Sequence, residues 1–278
     1  MELKEVIGRR RTIRFFLPHR PVERTKIQKM LEAARHASCV GNVMNVRAIV
    51  IWRDEAPENL IKALTPPLGY QQMQTAPVFL FWYNERGAYQ IDRWLERLRG
   101  LVRSRRIGVT IDGTLAEIDK RLKPVFTAGW EMSSVSPLAF MDVGQAIAQA
   151  TLVAYDEGLS TCLMSTPRID RIGKLLDLPE TAVPVAIQAV GYSAESWEAG
   201  GQTPKPPLNE MFYENTHGTP FKADPAVDEE MRREKLIQEQ APLPWREAEL
   251  QYLMKALELE DRILAVPFEG APPPTQDG

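Results

Sequence analysis

The sequence of 278 residues predicts a mixed helix-and-strand fold on three observations. Residues 78–83, Val-Phe-Leu-Phe-Trp-Tyr, form an unbroken apolar run of strand length, the pattern of a strand buried on both faces. Residues 141–157 place Val143, Ala146, Ile147, Ala150, Val153 and Ala154 around most of a helical circumference, as in a helix buried in the core or at a subunit interface. Ile27, Met30, Leu31 and Ala34 follow the i, i+3, i+4, i+7 spacing of a helix with one apolar face.

The remaining elements follow in chain order. After a basic opening, residues 17–22 form a proline-punctuated extended link, and the first predicted helix starts near Thr25. It ends in the small residues 37–42, with Gly41 as the breaker. Residues 47–52 read as a strand, 59–64 as a short helix and 66–69 as a loop, and 71–74 lead into the strand at 78–83. Residues 84–136 differ in character. They hold a basic helix carrying Arg93, Arg97, Arg99, Arg103, Arg105 and Arg106, a second helix near 115–122, and then Trp130, Met132 and several small residues. This stretch reads as an insertion over the core, either a lid or a solvated helical pair. The helix at 141–157 stops at Gly158, where a left-handed cap suits glycine. A short strand from Ser160 opens into a turn at Pro167, a helix covers 169–176, and 184–192 is a further strand. A polar stretch carries Lys205, residues 208–212 turn once, and from about Thr219 charged residues dominate. A last helix is predicted over 247–263, before a proline-rich tail at 271–278.

Bulk properties narrow the function. Hydrophobic content of 44% and charged content of 26% are ordinary for a globular chain. A net charge of −3 argues against a general nucleic-acid surface. Cys39 and Cys162 do not form a CxxC pair, and three histidines are too scattered for a metal site. With no apolar leader or membrane-length run, a soluble cytoplasmic protein is expected, with no membrane or nucleic-acid partner. Against that acidic background the opening stands out: Lys4, Arg9, Arg10, Arg11 and Arg14 crowd around Thr12. Guanidinium forks match phosphate oxygens in pairs and a hydroxyl adds one donor, which suits one compact dianion. Otherwise the cluster is a solvated basic arm.

Four motifs occur in order: Arg10-Arg11-Thr12-Ile13-Arg14; Pro21-Val22 followed by Leu31-Glu32-Ala33-Ala34-Arg35-His36-Ala37-Ser38-Cys39; Gly158-Leu159-Ser160-Thr161-Cys162; and Gly191-Tyr192 followed by Pro204-Lys205-Pro206-Pro207-Leu208. Together they resemble the FMN-dependent nitroreductase family of NAD(P)H:flavin oxidoreductase-like proteins, over roughly residues 7–215. The resemblance implies an α+β fold, with a mixed, mainly antiparallel sheet flanked by helices, in an intertwined homodimer with FMN between the subunits. It divides the chain into an FMN-binding domain at 1–218, with 84–136 as an inserted helical lid region, and an extension at 219–278 packing on the core or the partner subunit.

Carried over residue by residue, the resemblance puts Arg10, Arg11, Thr12 and Lys205 on the phosphate. Arg14 falls near the ribityl chain or the pyrimidine edge. There a fixed cation lowers the energy of the anionic reduced flavin. Asn42 and the backbone around Cys39 resemble the loop that meets the ring, and Gln71 stands where the family has an amide against it. Leu163, Met164 and Ser165 match the turn whose backbone N–H faces the hydride-accepting nitrogen. The flavin then carries the chemistry, with no catalytic side chain and no metal. The implied activity takes hydride from NAD(P)H and reduces a nitroaromatic, quinone or similar small-molecule acceptor in a ping-pong cycle.

Three departures mark this chain. The family loop continues Asn-x-Gln-Pro-Trp, where this sequence reads Asn42-Val43-Met44-Asn45-Val46; Ser38-Cys39 replaces Pro-Ser; and Lys205 replaces an arginine. The loop changes bear on the ring contacts more than on flavin binding. They leave a same-fold alternative of different chemistry, such as reductive dehalogenation, flavin fragmentation or ring oxidation. A further alternative is a non-enzymatic polyanion-binding protein. The arginines at 93–106 read as a solvated face or as a lure for dinucleotide phosphates, and the two cysteines as buried small hydrophobes.

Overall fold

Strand β2 (Val78–Glu85) is central to the sheet, and its apolar run supplies both layers of the core. The computed structural model describes residues 2–65, 71–166 and 168–259. In it β2 lies between β1 (Val46–Trp52) and β4 (Ala182–Gly191), and β3 (Ser160–Met164) flanks β4. The order is β1-β2-β4-β3 and every neighbouring pair is antiparallel. Side chains alternate across the pleat. Val78, Leu80 and Trp82 face helices α2 (Arg24–Arg35) and α8 (Pro137–Asp156). Phe79 and Phe81 face α3 (Glu58–Leu64), α4 (Gln71–Thr75) and α9 (Ile169–Leu175). Residues 78–82 are each at most 1% exposed, so the strand is buried on both faces. Truncating Phe79 or Phe81 to alanine costs roughly 3–5 kcal/mol.

The β3 edge is not left open. The chain that follows α1 (Leu3–Arg9) runs beside it, with a parallel bridge between Thr12 and Thr161 and a bond from Ile13 N–H to the Thr161 carbonyl at 3.1 Å. Covering an edge this way satisfies its backbone groups. Helix α8 begins four residues earlier than the periodicity indicates, because Pro137 starts it, and it ends at Gly158 with φ +74°. Leu138 and Met141 on α8 are each 49% exposed, so the helix is not covered all round within one chain.

Between β2 and α8 the segment read above as an insertion folds as α5 (Ile91–Arg103), α6 (Ile111–Glu117), a wide turn Ile118–Leu122 and α7 (Lys123–Ser134). Trp130, Met132 and the small residues around them, which the sequence assigns to no element, are helical. Pro124 sits in the first turn, where its missing N–H costs nothing. The insertion has its own core of Tyr89, Trp94, Leu95, Leu98, Val102 and Ile118. Arg93, Arg97, Arg105 and Arg106 stay on its solvated side.

Past β4 the chain forms α10 (Leu208–Met211), α11 (Pro225–Arg233) and α12 (Arg246–Ala256). Leu253 and Leu259 bury against Phe15. A Cβ on Gly8 would fall 2.1 Å from the Lys235 carbonyl oxygen, so only glycine admits this close approach. The helix predicted to 263 ends at Ala256. The predicted loop at 66–69, Pro167, residues 260–263 and the 271–278 tail lie outside the described residues.

Candidate functional site

Three segments of the chain meet at the β3 edge: the basic opening, the end of β3 and helix α4. Arg10 closes α1, its N–H donating to the Val6 carbonyl at 3.0 Å, and its side chain is half-buried. Thr12 pairs with Thr161, and Arg14 is exposed between buried Ile13 and Phe15. Arg11 behaves differently from its neighbours. Its Nε donates to the Gly201 carbonyl at 3.2 Å, one Nη to the Gly8 and Arg10 carbonyls, and the other Nη to Gln238 Oε1 at 3.2 Å. Burial also makes its charged form less favourable. The Arg11 guanidinium is therefore committed to its own chain, tying the opening to the 201–238 region. Lys205 lies four residues past Gly201, within about 14 Å of chain, and is exposed.

At the end of β3, Leu163 is 49% exposed, Met164 half-buried and Ser165 exposed. Helix α4 is drawn up to the opening by Thr75, whose hydroxyl oxygen accepts from Phe16 N–H at 3.1 Å. The structure brings Arg10, Thr12, Arg14, Leu163, Met164 and Ser165 to one edge, with α4 beside them. Within α4 it is Gln72, at 4% exposure, that points inward. Its amide Nε2 lies 3.9 Å from Met164 Sδ, and its Oε1 is buried without a hydrogen-bond donor among the described residues. Gln71 is half-exposed. Sequence reasoning missed Gln72; two adjacent glutamines on a short helix point about 100° apart, and spacing does not say which turns in.

Cys39 and Asn42 are not at this edge. They precede β1, the opposite edge strand, three strand spacings or about 14 Å across the sheet. Gly41, Asn42 and Met44 all take positive φ, at +50°, +56° and +55°, in a tight loop held from both sides. Both carboxylate oxygens of buried Asp142 accept from Val40 N–H at 3.2 Å, and Trp94 Nε1 donates to the Gly41 carbonyl at 3.2 Å. Val43 is fully buried in the insertion's core. Burial pushes the Cys39 thiol up, and Cys162 up to about 11. Beside the loop is a cavity of about 190 Å³, bounded by Leu31, Ala34, Cys39, Met44 and Trp82. Among the described residues no group of His, Cys, Asp and Glu could hold a metal, and no helix is long and apolar enough to cross a membrane.

Comparison with known proteins agrees with this architecture. The structure is similar to a nitroreductase-like protein of Streptococcus mutans (22% identity, TM-score 0.59), covering 76% of this chain and 97% of that one. It is similar to a candidate nitroreductase of Exiguobacterium sibiricum solved in complex with FMN (20%, TM-score 0.59), covering 77% and 98%. It is also similar to a candidate NAD(P)H:FMN oxidoreductase of Staphylococcus epidermidis (16%, TM-score 0.62), covering 77% and 95%. No curated protein matches the chain. The sequence pattern described as the nitroreductase family matches residues 7–68 and 131–192, and the unmatched interval holds β2 and the inserted helices. With that pattern in two blocks on a fold shared with these solved structures, the chain resembles the nitroreductase family.

Proposed function

We propose that this nitroreductase-family flavin oxidoreductase binds FMN along the β3 edge, takes hydride from NAD(P)H and reduces a nitroaromatic, quinone or similar acceptor in two half-reactions through one cavity. The observation that carries the reading is the convergence of the Arg10–Thr12–Arg14 face, the exposed turn at Leu163, Met164 and Ser165, and Gln72 on one edge. These residues fit the cofactor. Outward cations at one end suit a phosphate, and the buried, undonated Gln72 Oε1 suits an imide N–H. Bound there, FMN supplies two-electron chemistry. Arg10, Thr12 and Lys205 would hold its phosphate, Arg14 its negative pyrimidine edge, and the backbone at Ser165 the ring's reactive side. Arg11 would support Arg10 from behind.

In this reading Cys39 and Asn42 reach the flavin of a second copy, because one chain holds them at the far edge from β3. The half-exposed Leu138 and Met141 on α8 support such pairing. The loop at 42–47 also favours a second reading, in which the same fold and cofactor serve a different reaction. Here the insertion packs on that loop through Trp94 and Val43, reshaping the ring-facing side. Anaerobic mixing of the purified protein with NADPH or NADH, followed by flavin absorbance, separates the readings. Bleaching by either donor supports the first, bound flavin that neither donor bleaches supports the second, and a colourless protein that takes up no FMN defeats both.

A further inference from the structure

We propose that Glu195 and Arg246 are positioning residues that aim Arg14 and make helix α12 part of the cofactor edge; this rests on the FMN reading above. The Glu195 side chain is wholly buried. Its Oε1 accepts from the backbone N–H groups of both Arg14, at 2.5 Å, and Phe15, at 3.1 Å. Its Oε2 accepts from Arg246 at 2.6 Å. The second fork of Arg246 reaches Glu249 Oε2 at 2.6 Å, and Glu249 Oε1 accepts from Ser196 N–H at 2.6 Å. One guanidinium thus joins a carboxylate from the segment after β4 to one on its own helix α12. Gly200 makes room for it: its φ is +80°, and a Cβ there would fall 2.5 Å from Arg246 Cδ.

The effect on Arg14 is geometric. Ile13 and Phe15 point into the core, and Arg14 points out between them. Clamping two successive amide N–H groups on one carboxylate oxygen fixes the peptide plane between residues 14 and 15, and with it the direction in which the Arg14 side chain leaves the strand. Arg246 in turn makes the buried carboxylate tolerable. Without it Glu195 is an uncompensated buried charge, and the strand must shift to admit water. The extension beyond residue 219 is therefore a working support of the edge.

The test compares full-length wild type, Arg246→Met and the double variant Glu195→Gln/Arg246→Met. One readout is FMN affinity by quenching of flavin fluorescence. The other is hydrogen exchange of the Arg14 and Phe15 amides in FMN-free protein. We expect Arg246→Met to weaken FMN binding and to speed exchange at those amides, each by about tenfold or more. The double variant keeps one amide oxygen for the two N–H groups and buries no charge. It should return both readouts to within about threefold of wild type. Lower thermal stability in Arg246→Met with unchanged FMN affinity and unchanged exchange overturns the proposal, and so does a double variant no better than the single. If Arg246→Met fails to fold, Arg246→Lys replaces it, because it keeps the charge and loses the two-sided fork; wild-type readouts in that variant overturn the proposal. A wild type that takes up no FMN defeats the flavin reading alone, and the exchange result still decides whether the pair holds the strand.

Discussion

The indole N–H of Trp94 and the carbonyl of Gly41 meet at 3.2 Å, fastening the inserted helices to the loop that carries Cys39 and Asn42. Gly41 has φ +50°, and a Cβ there would sit 2.9 Å from Trp94 Nε1. Glycine is thus required twice, for its backbone and for the contact. Gly41→Ala is expected to lower stability by about 1–3 kcal/mol, read from urea unfolding. Trp94→Phe, which keeps the stacking on Phe126 and loses the hydrogen bond, should cost about 1 kcal/mol.

A buried amide pair pins the same insertion to the sheet. Asn45 Nδ2 donates to Asn84 Oδ1 at 2.9 Å and to the Ala139 carbonyl at 3.0 Å, and Asn84 Nδ2 donates to the Ser134 carbonyl at 2.7 Å. Asn84→Ala leaves a donor and an acceptor unpaired in a dry site. The expected loss is roughly 2–4 kcal/mol in chemical denaturation, against well under 1 kcal/mol for an exposed change such as Asp112→Ala on α6.

Asp142 gives a pH-dependent prediction. Burial raises its carboxyl above the usual value of 3.8, partly opposed by the Val40 N–H that it accepts. The folded state therefore holds this proton more tightly than the unfolded one. The stability it contributes is full below pH 3.8 and is lost as pH rises through the elevated folded value. Asp142→Asn keeps an oxygen for Val40 and removes the charge. The variant should melt higher than wild type at pH 7, and the gain should vanish below about pH 4, in melting curves taken across that range.

Arg10 and Arg11 are neighbours with separate duties, and substitution should divide them. Arg10→Met is expected to weaken FMN by about 10- to 100-fold in fluorescence titration with little change in melting temperature. Arg11→Met removes donors from the Gly8 and Gly201 carbonyls, so it should lower the melting temperature first. Equal effects of the two variants on FMN affinity, with equal stability, contradict this division.

Thiol chemistry supplies a further check. Burial pushes the Cys162 thiol up to about 11, and Cys39 is raised for the same reason. Both should react slowly with a disulfide reagent at pH 7.5 in the folded protein, and at least about tenfold faster in denaturant.

Much of this architecture is legible from local chemistry. The run at 78–83 announces a doubly buried strand because no polar residue interrupts it, and α2 shows through the spacing of Ile27, Met30 and Ala34. Helix α1 was hidden because its basic residues draw attention to charge, although Val6 and Gly8 are its buried positions. Helix α7 was hidden because serine, glycine and threonine are weak helix formers, and there packing on the insertion core outweighs propensity. The inward glutamine depends on a single helical step, and the Glu195–Arg246 pair spans 51 residues of sequence. Neither leaves a periodic trace. The separation of Cys39 and Asn42 from β3 is a matter of strand order, which linear motifs do not encode.

Gly8, Arg11, Arg14 and Phe15 precede the sheet in the chain, while their supports, Lys235, Gln238, Arg246 and Leu253, follow it. At roughly 5–20 residues per second, helix α12 emerges several seconds after β4. During that interval a nascent chain already owns its whole sheet, and residues 8–15 can pair with β3 but still lack these later supports, so the β3 edge is made rigid only after the sheet is complete.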